Sequence, residues 1–263
     1  MIFVSSRVSR VAIAFCLVAA GVFFGIRSRE APVVEMYEPV QARGHEMPVF
    51  YVRTQRKACA LTFDISWGEK MHDKILDILK EQGVKATFFL SGPWASRHRN
   101  AVKRIVGDGH ELASHGHDHV NLSEYSKEDI AENIRQAHNI LTNMSGATLK
   151  YFRPPNGDYD DLVVLTAREL GYETVIWAVD SIDWKNPGVS YIVQRVSGLV
   201  FPGAIILFHA SDSAPQTPEA LPLVIENLRS AGYELVTLGQ LMEMGTPARD
   251  DPRGRPRSEL PGS

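Results

Sequence analysis

Apolar and polar positions follow two rhythms along this chain. Short, nearly continuous apolar runs recur at Ala58 to Phe63, Ala86 to Leu90, Glu111 to Ser114, Tyr151-Phe152, Glu173 to Val179, Ala204 to Phe208 and Glu234 to Leu238. Runs of this length and β-branched content read as buried strands. Between them lie stretches with apolar residues three and four apart, as in Glu69 to Glu81, where Ile75, Leu76, Ile78 and Leu79 share one side. The same spacing predicts helices over Ala95 to Val106, Ser126 to Met144, Asp160 to Leu170, Tyr191 to Leu199 and Pro218 to Ala231. Ser126 with Asp129 forms a capping pair at one helix start, and Gly83 stands where a helix C-cap glycine belongs. Strict alternation of strand and helix predicts a parallel sheet flanked by helices. The residues alone give an α/β class, either a barrel or an open sheet.

The two ends of the chain break this rhythm. Val11 to Ile26 is uncharged and almost wholly apolar, with Arg7 and Arg10 before it and Arg27 and Arg29 after it. It is slightly short of the roughly 20 residues of a bilayer span, a difference that flanking arginines make up by reaching the interface. Residues 1–28 therefore read as an uncleaved signal anchor, with a signal peptide cut near Val18-Ala19-Ala20 as the rival. Residues 29–50, with Pro32, Pro39 and Gly44, read as a tether, and 51–245 as the folded domain. Residues 246–263 are rich in Pro, Gly and charge and read as a disordered tail. The expected placement is extracytoplasmic and membrane-anchored.

Composition narrows the function. The formal net charge of −3 over 263 residues gives no basic face for nucleic acid. The two cysteines, Cys16 and Cys59, supply no disulfide framework. Chemistry concentrates instead in five short stretches: Thr62-Phe63-Asp64-Ile65, His115-Gly116-His117-Asp118-His119, Arg153-Pro154-Pro155-Asn156-Gly157, Asp180-Ser181-Ile182-Asp183-Trp184 and Leu207-Phe208-His209. Four begin at or just beyond the C-terminal end of a predicted strand and the fifth ends one, which is where parallel barrels build their sites.

In this order, over roughly Cys59 to Met242, the five stretches resemble the polysaccharide deacetylase family (the NodB-homology domain, carbohydrate esterase family 4), and in particular its sporulation-associated branch. The resemblance implies an α/β fold, a distorted, incomplete (β/α)7 barrel with parallel strands. It implies Asp64 as the base that activates water, Arg153 as its partner, His209 as the general acid and Asp183 as the carboxylate that orients it. It further implies Asn156, Trp184 and Leu207 as substrate-binding residues, and His115 and His119 as ligands of a divalent metal, zinc. One position departs from the family pattern. The family usually reads Thr-Phe-Asp-Asp, its second Asp on the metal, and Ile65 stands in that place. A third ligand is left open among His117, Asp118, Asp64 and Glu69.

The expected function is hydrolytic N-deacetylation of a cell-wall polysaccharide, peptidoglycan by resemblance. The alternative is a catalytically degenerate member that binds glycan or a wall-assembly partner. Ile65 is the feature that favours the alternative.

Overall fold

The computed structural model describes residues 46–255 and 257–260. Its strands are β1 (Tyr51–Arg53), β2 (Ala58–Ile65), β3 (Thr87–Leu90), β4 (Glu111–Ser114), β5 (Tyr151–Phe152), β6 (Glu173–Thr174), β7 (Val179–Asp180), β8 (Ile205–His209), β9 (Glu234–Val236) and β10 (Thr246–Ala248). The helices are α1 (Met71–Glu81), α2 (Gly92–Arg97), α3 (Arg99–Gly107), α4 (Lys127–Ser145), α5 (Asp161–Glu169), α6 (Val189–Leu199), α7 (Thr217–Ser230) and α8 (Leu238–Met242). The predicted helix over Ala95 to Val106 is thus two, broken at His98, whose backbone leaves the helical region.

β2 is the centre of the sheet, and all eight of its residues are buried. An uninterrupted apolar strand is the mark of a sheet covered on both faces. The sheet runs β6-β5-β4-β3-β2-β8-β7, with β9 beside the first half of β2, and every pair is parallel. Phe63 stacks on Phe88 of β3 and on Phe208 of β8, at 5.1 and 5.7 Å between ring centres. Because side chains alternate along a strand, Thr62 and Asp64 face opposite to this aromatic layer. They register with Leu207 and His209 of β8. The pairing thus brings Asp64 and His209 side by side at the C-terminal rim.

The sheet is curled but does not close, as the incomplete barrel requires. Its two ends, β6 and β7, are consecutive in the chain. The single strand predicted over Glu173 to Val179 is split because the chain changes partners there. Val175 N donates to Phe152 O, Ile176 N to Val49 O and Ala178 N to Ile205 O, at 2.8 to 2.9 Å. Val49 and Phe50, at the end of the predicted tether, are fully buried at this seam.

The predicted disordered tail begins instead as β10, antiparallel on β1 with Tyr51 opposite Ala248. Side-chain partners hold the residues just beyond it. Tyr51 Oη donates to Asp250 at 2.9 Å, Arg249 meets Glu173 at 2.9 Å, and the Arg253 guanidinium lies over the rings of Phe50 and Trp177. Cys59 is a buried core thiol, pushed up to about 12 by burial.

The run Val11 to Ile26 lies outside the described residues. Among the described residues no helix is long and apolar enough to cross a membrane. The expected membrane anchor, and the anchored extracytoplasmic placement built on it, therefore find no support among the described residues.

Candidate functional site

A cavity of about 330 Å³ opens at the C-terminal rim of the sheet, lined by residues from all five motifs. Asp64 lines its floor, and Arg153 pairs with it from within the protein. Arg153 is completely buried, and Asp64 is 5% exposed. Nη1 of Arg153 donates to Asp64 Oδ1 at 2.6 Å, Nη2 to Thr62 Oγ1 and the Ile176 carbonyl, and Nε to the Val175 carbonyl. The guanidinium also lies 4.0 Å over the Phe89 ring. A buried charge is tolerable only when so completely paired. Burial would raise the Asp64 pKa, but the Arg153 charge, with those of His115 and His209, holds it below the usual carboxylate range.

His115 follows β4. Its Nδ1 donates to the Arg153 carbonyl at 2.8 Å, which fixes the neutral tautomer and turns Nε2 toward Asp64 Oδ2, 3.7 Å away. Burial pushes the imidazole down to about 4. His119 meets His115 edge-on at 5.3 Å and is also shifted down by burial. The turn between them needs Gly116: its φ is +74°, and an added Cβ would lie 2.6 Å from Asn133 Oδ1.

His209 stands beside Asp64. Its Nδ1 donates to Asp183 Oδ1 at 2.7 Å, and its backbone N–H donates to Asp183 Oδ2. Thr217 Oγ1 donates to the same Oδ2 at 2.6 Å. Asp183 is fully buried and holds the imidazole from below. Burial alone would lower the His209 pKa, but the Asp183 hydrogen bond and the charges of Asp183, Asp64 and Asp180 carry it above the ordinary value. A raised folded pKa stabilises the fold fully below the unfolded value of about 6.5, and that contribution is lost as pH rises through the folded value. An NMR titration of the His209 ring should therefore show a midpoint above 6.5. Asp183→Asn should bring it down; an unmoved midpoint would remove Asp183 as the cause.

Among the expected binding residues, Trp184 is 46% exposed at the rim and Leu207 is buried in the cavity wall. Asn156 lines the cavity at φ +60°, with its amide donating to Asn121 Oδ1 at 2.8 Å. Gly157 is needed beside it, since a Cβ there would lie 2.6 Å from the Trp177 ring. Asp180, which opens the fourth motif, lines the cavity, and so do residues outside the five motifs: Ser66, Trp67, Trp177, Ser211 and Ser213. Trp67 lies two residues past the first motif, which was the signal that could have found it. Thr217 carried none, because only the fold brings it to Asp183. The Ser66 hydroxyl is buried without a hydrogen-bond partner among the described residues.

The donor set does not fit a metal ion. Ile65 is completely buried in the apolar core and does not line the cavity. The other sources of a third ligand are engaged elsewhere. The His117 ring packs against Gly92, where a Cβ would lie 2.7 Å from its Nδ1. Asp118 lines a separate groove with Val120, Leu122 and Tyr125. Glu69 pairs with His98 at 2.8 Å. Asp64 is committed to Arg153. Among the described residues no group of three or more His, Cys, Asp or Glu could hold a metal ion. The expected zinc on His115 and His119 is therefore corrected: two imidazoles without a third donor make no such site.

Residues 51–175 match the polysaccharide deacetylase family model. The uncharacterised protein YlxY of Bacillus subtilis is 33% identical over 196 residues, covering 74% of this chain and 60% of that protein. The match thus spans less than two thirds of YlxY. A peptidoglycan-N-acetylglucosamine deacetylase of Bacillus cereus is 36% identical over 186 residues, 70% of this chain and 68% of that protein. Among solved structures, a CE4 family pseudoenzyme from Bacillus anthracis matches with a TM-score of 0.71 at 33% identity, covering 74% of this chain and 68% of that one. A mutant of that pseudoenzyme with restored enzymatic activity matches with the same TM-score at 34% identity, covering 74% and 71%.

These matches and the donor set correct the expected activity. Catalytic N-deacetylation by Asp64 and His209 is not supported, because the structural relatives include a pseudoenzyme and the cavity lacks the ligands for the metal. The curled parallel sheet, the five motifs on its rim and the relatives agree on descent: the chain belongs to the polysaccharide deacetylase family, carbohydrate esterase family 4.

Proposed function

We propose that this protein is a catalytically silent member of its family that binds N-acetylated cell-wall glycan in the rim cavity. The observation that carries this reading is Ile65. An apolar, fully buried side chain stands where the metal carboxylate would be, while the rest of the cleft remains a concave surface with aromatic walls and convergent polar groups. Such a cavity is suited to holding a ligand. The B. cereus relative is a peptidoglycan-N-acetylglucosamine deacetylase, which supports the glycan class. Asp64 and His209 serve here as a charged, rigid floor, held from within by Arg153 and Asp183, with Asn156, Trp184 and Leu207 as contacts to the sugar.

The test is co-sedimentation of the purified protein with insoluble peptidoglycan, native and chemically de-N-acetylated. Retention on the native polymer, weakened by de-N-acetylation, is the expected result. Equal retention on both, or none on either, would overturn the reading.

A further inference from the structure

We infer that a second cavity, built with the C-terminal segment, binds a small organic carboxylate with an apolar body. The cavity holds about 200 Å³ and is lined by the chain beyond β10, by α6 and by the approach to β7. Trp177 and Asp180 line both this cavity and the one at the rim, but Asn156, Trp184 and Leu207 do not line it. The inference is therefore independent of the glycan reading.

Three arginines line the cavity, Arg195, Arg253 and Arg255, against one carboxylate, Asp180. Two of the three come from the segment that composition marked as a disordered tail. Each guanidinium is held along one edge. Arg195 Nε donates to the Asp180 carbonyl at 2.7 Å, and its two Nη groups have no hydrogen-bond partner among the described residues. Arg253 donates from Nε and Nη2 to Asp251 at 2.8 and 2.7 Å, while the Phe50 and Trp177 rings hold its plane. Arg255 places Nη1 3.3 Å from Asp250.

A guanidinium has five N–H donors and no acceptor, so its complement must bring lone pairs. Its planar fork matches the two oxygens of a carboxylate. Donors already fixed in place lose little freedom when an anion arrives. The remaining lining decides the rest of the ligand. Leu199, Phe201 and Leu260 also line the cavity, and Phe201 and Leu260 are buried. A short hydrocarbon chain behind the carboxylate removes this surface from water, which an inorganic oxyanion cannot do. A single negative charge also meets less repulsion from Asp180 than a dianion would.

Calorimetric titration of the full chain at pH 7 tests the inference with four probes: 4-methylpentanoate, N-acetylleucine, 4-methylpentanamide and inorganic phosphate. At least one of the two carboxylates should bind with a Kd of about 1 mM or tighter. Tighter binding of 4-methylpentanoate makes the ligand a free short-chain acid; tighter binding of N-acetylleucine makes it the carboxyl end of a peptide. The amide and phosphate should each bind at least about tenfold more weakly. Arg195→Gln should weaken the carboxylate about tenfold. Arg255→Gln changes a side chain that is 35% exposed, so it spares the fold, and it should weaken binding severalfold. No binding of either carboxylate would overturn the inference, as would amide or phosphate binding as tight as the acid. Full affinity in both variants would place the anion elsewhere and also overturn it.

Discussion

Arg153→Leu will destabilise the fold by about 3–5 kcal/mol, the cost of leaving one partner of a buried ion pair unmatched. Arg153 is fully buried, and its nitrogens satisfy Asp64, Thr62 and the carbonyls of Val175 and Ile176. The last two lie where the chain leaves β5 for β8, so this one side chain ties the open seam of the sheet to its central strand. Asp64→Asn will also destabilise. The double variant will lose less than the sum of the two single losses, because each single change strands the other charge. Urea unfolding of the four proteins at pH 7 measures this. A loss below about 1 kcal/mol for Arg153→Leu would mean that water satisfies Asp64 and that the pair is not structural. The pH dependence has a definite sign. The Asp64 pKa is depressed in the fold, so its contribution is complete above the unfolded value of about 3.9. That contribution is lost as pH falls through the lower folded value.

Ile65→Asp will have the second large effect. It removes a core side chain and puts a carboxylate in a fully buried place beside Asp64. Without metal the melting temperature should fall, with a loss of about 3–5 kcal/mol expected for an unpaired buried charge plus a cavity. Because position 65 faces the core and not the cavity, the new carboxylate gives His115 and His119 no third donor. Added zinc should therefore recover stability in neither protein, in parallel melts in chelator and in zinc. A zinc-dependent rise in the wild type would contradict the donor-set argument, and one confined to the variant would show that position 65 reaches the cavity.

Much of the architecture was legible because the apolar runs are unambiguous. Ala58 to Phe63 and Ala204 to Phe208 are almost wholly apolar, and the helices between strands keep a clean period. The split of Glu173 to Val179 was not legible. Val175 and Ile176 suit a strand whichever neighbour they pair with, and only the curl of the sheet decides that Ala178 turns to Ile205. The tail from Thr246 looked disordered by composition, yet Arg249 and Arg253 find Glu173, Phe50 and Trp177 in three dimensions. In the site, the pairings Asp64–Arg153 and Asp183–His209 came from the resemblance, since 89 and 26 residues separate the partners. Thr217 and Ser213 belong to no motif and are set only by the fold. The expected metal rested on His115 and His119, and it failed because a pattern of two histidines does not say where His117, Asp118 and Glu69 point.

The most direct measurement is acetate release from N-acetylated peptidoglycan fragments by the wild-type protein with zinc supplied, beside an active family member as the positive control. The account predicts no acetate above the protein-free background. Zinc-dependent release by the wild type, abolished in Asp64→Asn, would contradict it.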